Sequence, residues 1–225
     1  MEEKTIKKQI NVLIVDDHPI VREGLKQLLN SQEDIIVLGS VEDANTALKE
    51  IKNKLYDLLI IDISLKGSIN GLELTKTINS LYPDLPILIL SMYDESIYAE
   101  RAIRAGARGY IMKQEMTGTI VDAIKKITEG KIYLSDDMSS KLLDELMFKQ
   151  NVRIGNTIEK LTDRELEVFQ LIGHGYKTQD IASKLCLSIK TIDTYRIRIK
   201  EKLNLNDSTE LTKTAIEWVH NNNLI

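Results

Sequence analysis

The sequence predicts two folds in tandem: an α/β unit built on a doubly wound parallel five-stranded sheet, then a separate all-α helix-turn-helix unit. Two patterns carry this. Between Ile10 and Ile111 short apolar runs alternate with amphipathic stretches, whereas from Thr162 onward each segment has helical periodicity and most have a helix-start signal. The length of 225 residues suits two domains of roughly 100 residues each.

In chain order the strand and helix pairs read INVLIV with PIVREGLKQLLN, IIVLGS with EDANTALKEIKN, DLLIID with GLELTKTINSLY, PILILS with ESIYAERAIRAG, and RGYIM with TGTIVDAIKKITEG. Nearly continuous apolar strands are buried on both faces, and their alternation with helices implies a parallel sheet covered on both sides. These elements place the first domain at 1–130. A weaker helical pattern, Met138 to Lys149, and an apolar-poor stretch around Gln150 to Thr157 make 131–158 a linker with a helix. The last domain, 159–225, opens with Thr162 and Glu165 as a capping box, and Gly175 ends that helix. Thr178 is expected to cap a short helix through Lys184 and Ser188 a third to about Leu203, with a fourth over 208–220. Three closely spaced helices with a tight middle connection suggest a helix-turn-helix.

Composition narrows the function classes. With 43% hydrophobic and 28% charged residues the chain is globular, and no apolar run approaches the ~20 residues that span a bilayer. Glu2, Glu3 and Lys4 carry no signal-peptide core, so the cytoplasm is the expected location and no membrane partner is expected. The single Cys186 offers neither a disulfide nor a thiolate zinc site and reads as a small core residue. His174 and His220 read as surface residues, and His18 follows an acidic pair without a metal-ligand spacing. Charge is uneven: residues 1–150 hold 19 basic and 24 acidic side chains, residues 177–202 hold 7 and 3. An acidic front and a locally basic rear suggest two tasks.

Ligands of parallel sheets bind beyond the carboxyl ends of the strands. Asp16 and Asp17 close the first strand, Asp62 the third and Ser91 the fourth, and Lys113 follows the fifth. Singly, each aspartate is an ordinary turn residue and Lys113 a surface charge; their shared register brings them together. Three converging carboxylates call for a hard cation such as Mg²⁺. With charge so neutralised, Asp62 can attack a phosphoryl phosphorus, and Lys113 and the Ser91 hydroxyl can hold its oxygens.

VDDHPIVREGL, the Asp62 strand, Ser91 and GARGYIMK resemble the flavodoxin-like receiver domain of two-component response regulators, across roughly residues 10–130. The resemblance implies that Asp62 is the phosphoacceptor, that Asp17 and Asp16 bind Mg²⁺, the latter directly or through water, and that Ser64 does so through its backbone carbonyl. It also implies a switch formed by Ser91 and Tyr110, with Lys113 pairing the phosphoryl group. One departure stands out: Lys66 replaces the usual Pro, and Gly71 lies nine residues beyond Asp62 instead of eight. A slightly longer loop between Leu65 and Gly71 is expected.

LTDRELEVFQLIGHGYKTQDIASKLCLSIKTIDTYRIRIKEKL resembles the LuxR-type helix-turn-helix of NarL/FixJ-like regulators, with Tyr195 where many relatives have His. At 100° per residue, Ile192, Tyr195, Ile199 and Leu203 form one stripe, leaving Lys190, Thr194, Ile197, Arg198 and Glu201 opposite, with Asp193 at the edge of that face. Lys190 and Arg198 suit phosphates or guanine, Asp193 a cytosine amine and Ile197 a thymine methyl, with Thr191 and Lys177 as phosphate contacts. The expectation is a regulator that is not an enzyme beyond slow self-phosphorylation and self-dephosphorylation. Its expected partners are double-stranded DNA, a sensor histidine kinase or phosphorelay donor, and a second copy of itself when active. A phosphatase would need a second carboxylate at Ser64, and a small-molecule sensor a large apolar cavity. A receiver that never becomes phosphorylated stays open.

Overall fold

The computed structural model describes residues 9–148 and 157–222, and its contacts divide the chain into two units. Strands β1 (Ile10–Val15), β2 (Ile35–Val41), β3 (Leu58–Ile61), β4 (Ile87–Ser91) and β5 (Gly109–Met112) form one parallel sheet in the order β2-β1-β3-β4-β5. Helices α1 (Pro19–Asn30), α2 (Ala44–Asn53), α3 (Gly71–Leu81), α4 (Glu95–Ala105) and α5 (Met116–Thr128) follow the strands in turn. All side chains of β3 and β4 are buried, as two covered faces require. On one face Val12, Ile14, Ile60, Leu88 and Leu90 pack with Leu25 and Leu29 of α1 and Ile120 and Ile124 of α5. The strand order reverses between β1 and β3, and ligands of such sheets bind beyond the carboxyl ends of the strands at this point.

After α5 the chain does something the apolar pattern does not announce. Tyr133 bridges to Gly109: its N–H donates to the Arg108 carbonyl at 2.9 Å, and the Tyr110 N–H donates to the Tyr133 carbonyl at 3.0 Å. Edge groups of β5 are thereby paired. Helix α6 (Asp136–Phe148) begins two residues earlier than expected because the Ser135 hydroxyl accepts from the Met138 N–H at 3.1 Å, satisfying a first-turn donor. Most of the stretch Gln150 to Thr157, expected to be linker, lies outside the described residues.

The second unit has a 3₁₀ turn at Thr157–Lys160 and helices α7 (Asp163–Gly173), α8 (Thr178–Lys184), α9 (Ile189–Leu203) and α10 (Ser208–Asn222). Thr162 and Glu165 form the capping box, and Ser188 caps α9 through the Thr191 N–H. Thr178 is not the cap of α8; Lys177 occupies that place, its N–H donating to the Asp180 carboxylate at 3.3 Å. Cys186 is not in the core either. It follows α8 with φ of 52°, and this left-handed turn leaves its side chain exposed. Phe169 and Trp218 pack at 5.8 Å between ring centres, and a Cβ on Gly173 would sit 2.4 Å from the Ala215 carbonyl oxygen, so α7 and α10 meet backbone to backbone there. Among the described residues no helix is long and apolar enough to cross a membrane.

Candidate functional site

Each polar strand end is fixed by the sheet that precedes it. The Asp16 N–H donates to the Val41 carbonyl at 3.1 Å, the Asp62 N–H to Val15 at 2.8 Å and the Lys113 N–H to Ser91 at 2.7 Å. Asp16, Asp17, Asp62, Ser91 and Lys113 are all buried. The Lys113 ammonium lies 2.8 Å from Asp62 Oδ2 and 2.7 Å from Asp16 Oδ2, bridging the two strands.

One ammonium does not balance three buried carboxylates. Burial pushes Asp62 up to about 6, with Asp16 adding to the rise and Lys113 and the Ser64 amide opposing it. For Lys113 burial acts downward, but Asp62 and Asp16 outweigh it and hold its ammonium above the usual lysine value. Asp62 Oδ1 is buried and accepts no hydrogen bond of normal geometry. Such an oxygen, among hard carboxylate donors, fits a divalent cation of the Mg²⁺ kind.

The loop after the acceptor explains Gly71. Its N–H donates to the Ile63 carbonyl at 2.8 Å, and a Cβ there would lie 1.9 Å from the Asp62 carbonyl oxygen. Asn70 caps α3 in a reciprocal box with Glu73, and Gly67 turns at φ of 101°. Lys66 to Asn70 thus form the turn into α3, with a close backbone approach of Gly71 to Asp62. Ser64 is half-buried beside it.

Ser91 does not point its hydrogen bonding at Asp62: its hydroxyl accepts from the Tyr93 N–H at 3.1 Å. Tyr110 is 1% exposed and donates to the Tyr93 carbonyl at 2.8 Å, and burial raises its phenol above the ordinary tyrosine value. Ser91 and Tyr110 therefore meet on the two sides of one residue, Tyr93, whose ring stacks on Tyr98 at 4.8 Å.

The residue that sequence reasoning missed is His18. Its Nδ1 lies 2.8 Å from Asp17 Oδ1, 3.1 Å from Asp16 Oδ1 and 3.9 Å from Asp62 Oδ2, so it joins the three carboxylates in a set of donor atoms within 4.8 Å of one another. The earlier expectation that it lacks a metal-ligand arrangement is corrected. Pro19 at the first position of α1 makes His18 its cap residue, and the His18 N–H donates back to Asp16 Oδ1 at 2.8 Å. A His directly before a helix-starting Pro and after Asp-Asp was the available signal.

In the second unit α9 buries Ile192, Ile199 and Leu203 and half-buries Tyr195. Lys177, Lys190, Asp193, Thr194, Ile197 and Arg198 are exposed and Thr191 is half-exposed; Ile197 stands 52% open. Ser188, Lys190, Thr191, Thr194, Tyr195 and Arg198 line a shallow groove of 310 Å³. The exposed face thus has the donors and the apolar tip that a DNA groove would meet.

Comparison with known proteins covers both units. Residues 12–125 match the response regulator receiver domain, and residues 159–215 match the bacterial regulatory proteins of the luxR family. The chain is 34% identical to the oxygen regulatory protein NreC of Staphylococcus carnosus, over 92% of this chain and 97% of NreC. Among solved structures it is similar to RcsB of Salmonella enterica serovar Typhimurium bound to promoter rprA in the presence of phosphomimetic BeF₃⁻, at 27% identity and TM-score 0.60, covering 92% and 98% of the two chains. It is also similar to the structure described as two RcsB dimers bound to two parallel DNAs, at 26% identity and TM-score 0.57, covering 92% and 97%.

Proposed function

Since the chain belongs to the two-component response regulators that join a receiver to a LuxR-type DNA-binding domain, we propose that a phosphoryl group on Asp62 controls its binding to double-stranded DNA. The receiver spans 1–130, the linker 131–158 and the DNA-binding domain 159–225. The chain works in the cytoplasm.

Support comes above all from Lys113, whose ammonium bridges Asp62 and Asp16 at 2.8 and 2.7 Å inside a buried acidic pocket. The Asp62 carboxylate attacks the phosphorus of a phosphohistidine on a sensor kinase or relay donor. An O–P bond forms as the P–N bond breaks, and the donor imidazole takes up a proton. Lys113 then exchanges its carboxylate contacts for phosphoryl oxygens. Asp16, Asp17, Asp62 and the Ser64 carbonyl would hold Mg²⁺, which would supply the remaining positive charge. The Ser91 hydroxyl leaves the Tyr93 amide for the phosphoryl group, and Tyr110, sharing Tyr93, responds. Beyond this acceptance and a slow loss of the group to water, the chain carries no catalytic turnover.

A small phosphodonor with Mg²⁺ is expected to add one phosphoryl mass per chain, and a chelator to prevent it. No adduct with both present, or an adduct indifferent to chelation, would contradict the proposal.

On DNA, Lys190, Thr191, Asp193, Thr194, Ile197 and Arg198 of α9 meet the major groove, and Lys177 a phosphate. Pairing of two copies on two half-sites supplies affinity, as the dimers of the RcsB relative on DNA suggest. Arg198→Ala is expected to weaken binding to a specific site by about 1–3 kcal/mol, while Lys177→Ala lowers the slope of affinity against salt by about one. Titrations at several salt concentrations read both.

A further inference from the structure

We propose that His18 widens the cation specificity of the carboxylate pocket, adding an imidazole ligand that lets the pocket hold a late first-row divalent ion such as Zn²⁺ more tightly than its oxygens alone would. This rests on the proposed cation site and goes beyond it, because Mg²⁺ prefers oxygen to nitrogen donors.

Three observations carry it. Ligands around an ion with bonds of about 2.1 Å lie roughly 3.0 Å apart along the edge of an octahedron and about 3.4 Å apart in a tetrahedron. His18 Nδ1 stands 2.8 Å from Asp17 Oδ1 and 3.1 Å from Asp16 Oδ1, close to the octahedral edge. Next, the backbone that carries the imidazole is fixed: the His18 N–H donates to Asp16 Oδ1 at 2.8 Å, and Pro19 sets the chain direction as α1 begins. Last, Asp62 Oδ1 is buried without a normal hydrogen bond, so the set contains an oxygen still open to a cation.

The simpler role for Nδ1 is to donate a hydrogen bond to the two aspartates. Ligation needs the other tautomer, with the proton on Nε2, which a ring that is 56% exposed accommodates in water. Imidazole suits Zn²⁺, Cu²⁺ and Ni²⁺, whereas carboxylate and carbonyl sets suit Mg²⁺. His18→Gln separates the two roles, since the amide can still donate hydrogen bonds but is a poor ligand.

The test is calorimetric titration of the full chain with Zn²⁺ alone and with Mg²⁺ alone, for the natural sequence, His18→Gln and Asp62→Asn. Zn²⁺ affinity is expected to fall about tenfold or more in His18→Gln while Mg²⁺ affinity stays within about twofold, and Asp62→Asn is expected to weaken both. Equal shifts for the two ions in His18→Gln, unchanged Zn²⁺ binding there, or Zn²⁺ binding indifferent to Asp62→Asn would overturn the proposal. The Mg²⁺-dependent phosphoryl adduct, measured on His18→Gln, separates the two readings: an intact adduct with unchanged Zn²⁺ affinity refutes the role of His18 and leaves Asp62 as acceptor.

Discussion

Asp62→Asn is expected to remove the phosphoryl adduct completely and yet to stabilise the cation-free receiver near neutral pH. The Asp62 carboxyl titrates at about 6 in the fold, against 3.8 for an ordinary aspartate, chiefly because it is buried. A carboxyl raised in this way contributes its full stability below about pH 4 and loses it as pH rises through about 6. Above that the fold holds a charge it would shed if it could. Asparagine keeps the shape without the charge, so the variant gains up to about 3 kcal/mol over the natural chain at pH 7.5, and almost nothing at pH 4. Lys113 retains Asp16 as its partner. Urea unfolding with a chelator at the two pH values reads the difference; equal variant effects at both would show that Asp62 is not strained by its surroundings. Added Mg²⁺ should stabilise the natural chain more than the variant, since only the former offers the buried carboxylate to it.

Gly71→Ala should be nearly as damaging, for a reason that has nothing to do with charge. The added methyl would lie 1.9 Å from the Asp62 carbonyl oxygen, 2.7 Å from its carbon and 2.8 Å from Ile63 Cα, all backbone atoms. No side chain can turn aside, so either α3 or the acceptor loop must move. A cost of about 3 kcal/mol is expected, at the upper end of overpacking effects, together with slower phosphorylation because Asp62 shifts. Gly24→Ala in α1 provides the control: nothing lies within 4 Å of its Cβ, and alanine in a helix gains up to about 1 kcal/mol. If the two variants unfolded at the same denaturant concentration, the close approach at Gly71 would be refuted.

The carboxylate pocket was legible because topology does the work. Once Leu58 to Ile61 and Ile87 to Ser91 are taken as buried parallel strands, Asp16, Asp62, Ser91 and Lys113 must emerge on the same edge. Details that depend on one hydrogen bond were not legible. Lys177 replaces Thr178 as the cap of α8 because Asp180 reaches its amide, and Cys186 turns outward because the chain leaves α8 in a left-handed step. Tyr133 pairs with β5 through backbone groups alone, which no apolar period reports. His18 reads from the sequence as the residue after an acidic pair, without a metal-ligand spacing; the turn into Pro19 brings its ring against the aspartates. The Ser91 hydroxyl accepts from the Tyr93 N–H, a contact that follows from the turn after β4 and that no residue pattern announces.

The most direct test of control by Asp62 is the affinity of the full chain for specific DNA, with and without phosphodonor and Mg²⁺, for the natural sequence and Asp62→Asn. Tighter binding on phosphorylation by the natural chain alone, with the variant fixed at the unphosphorylated level, is the predicted result. Equal affinity of the phosphorylated and unphosphorylated natural chain, at full phosphoryl occupancy, would contradict the account.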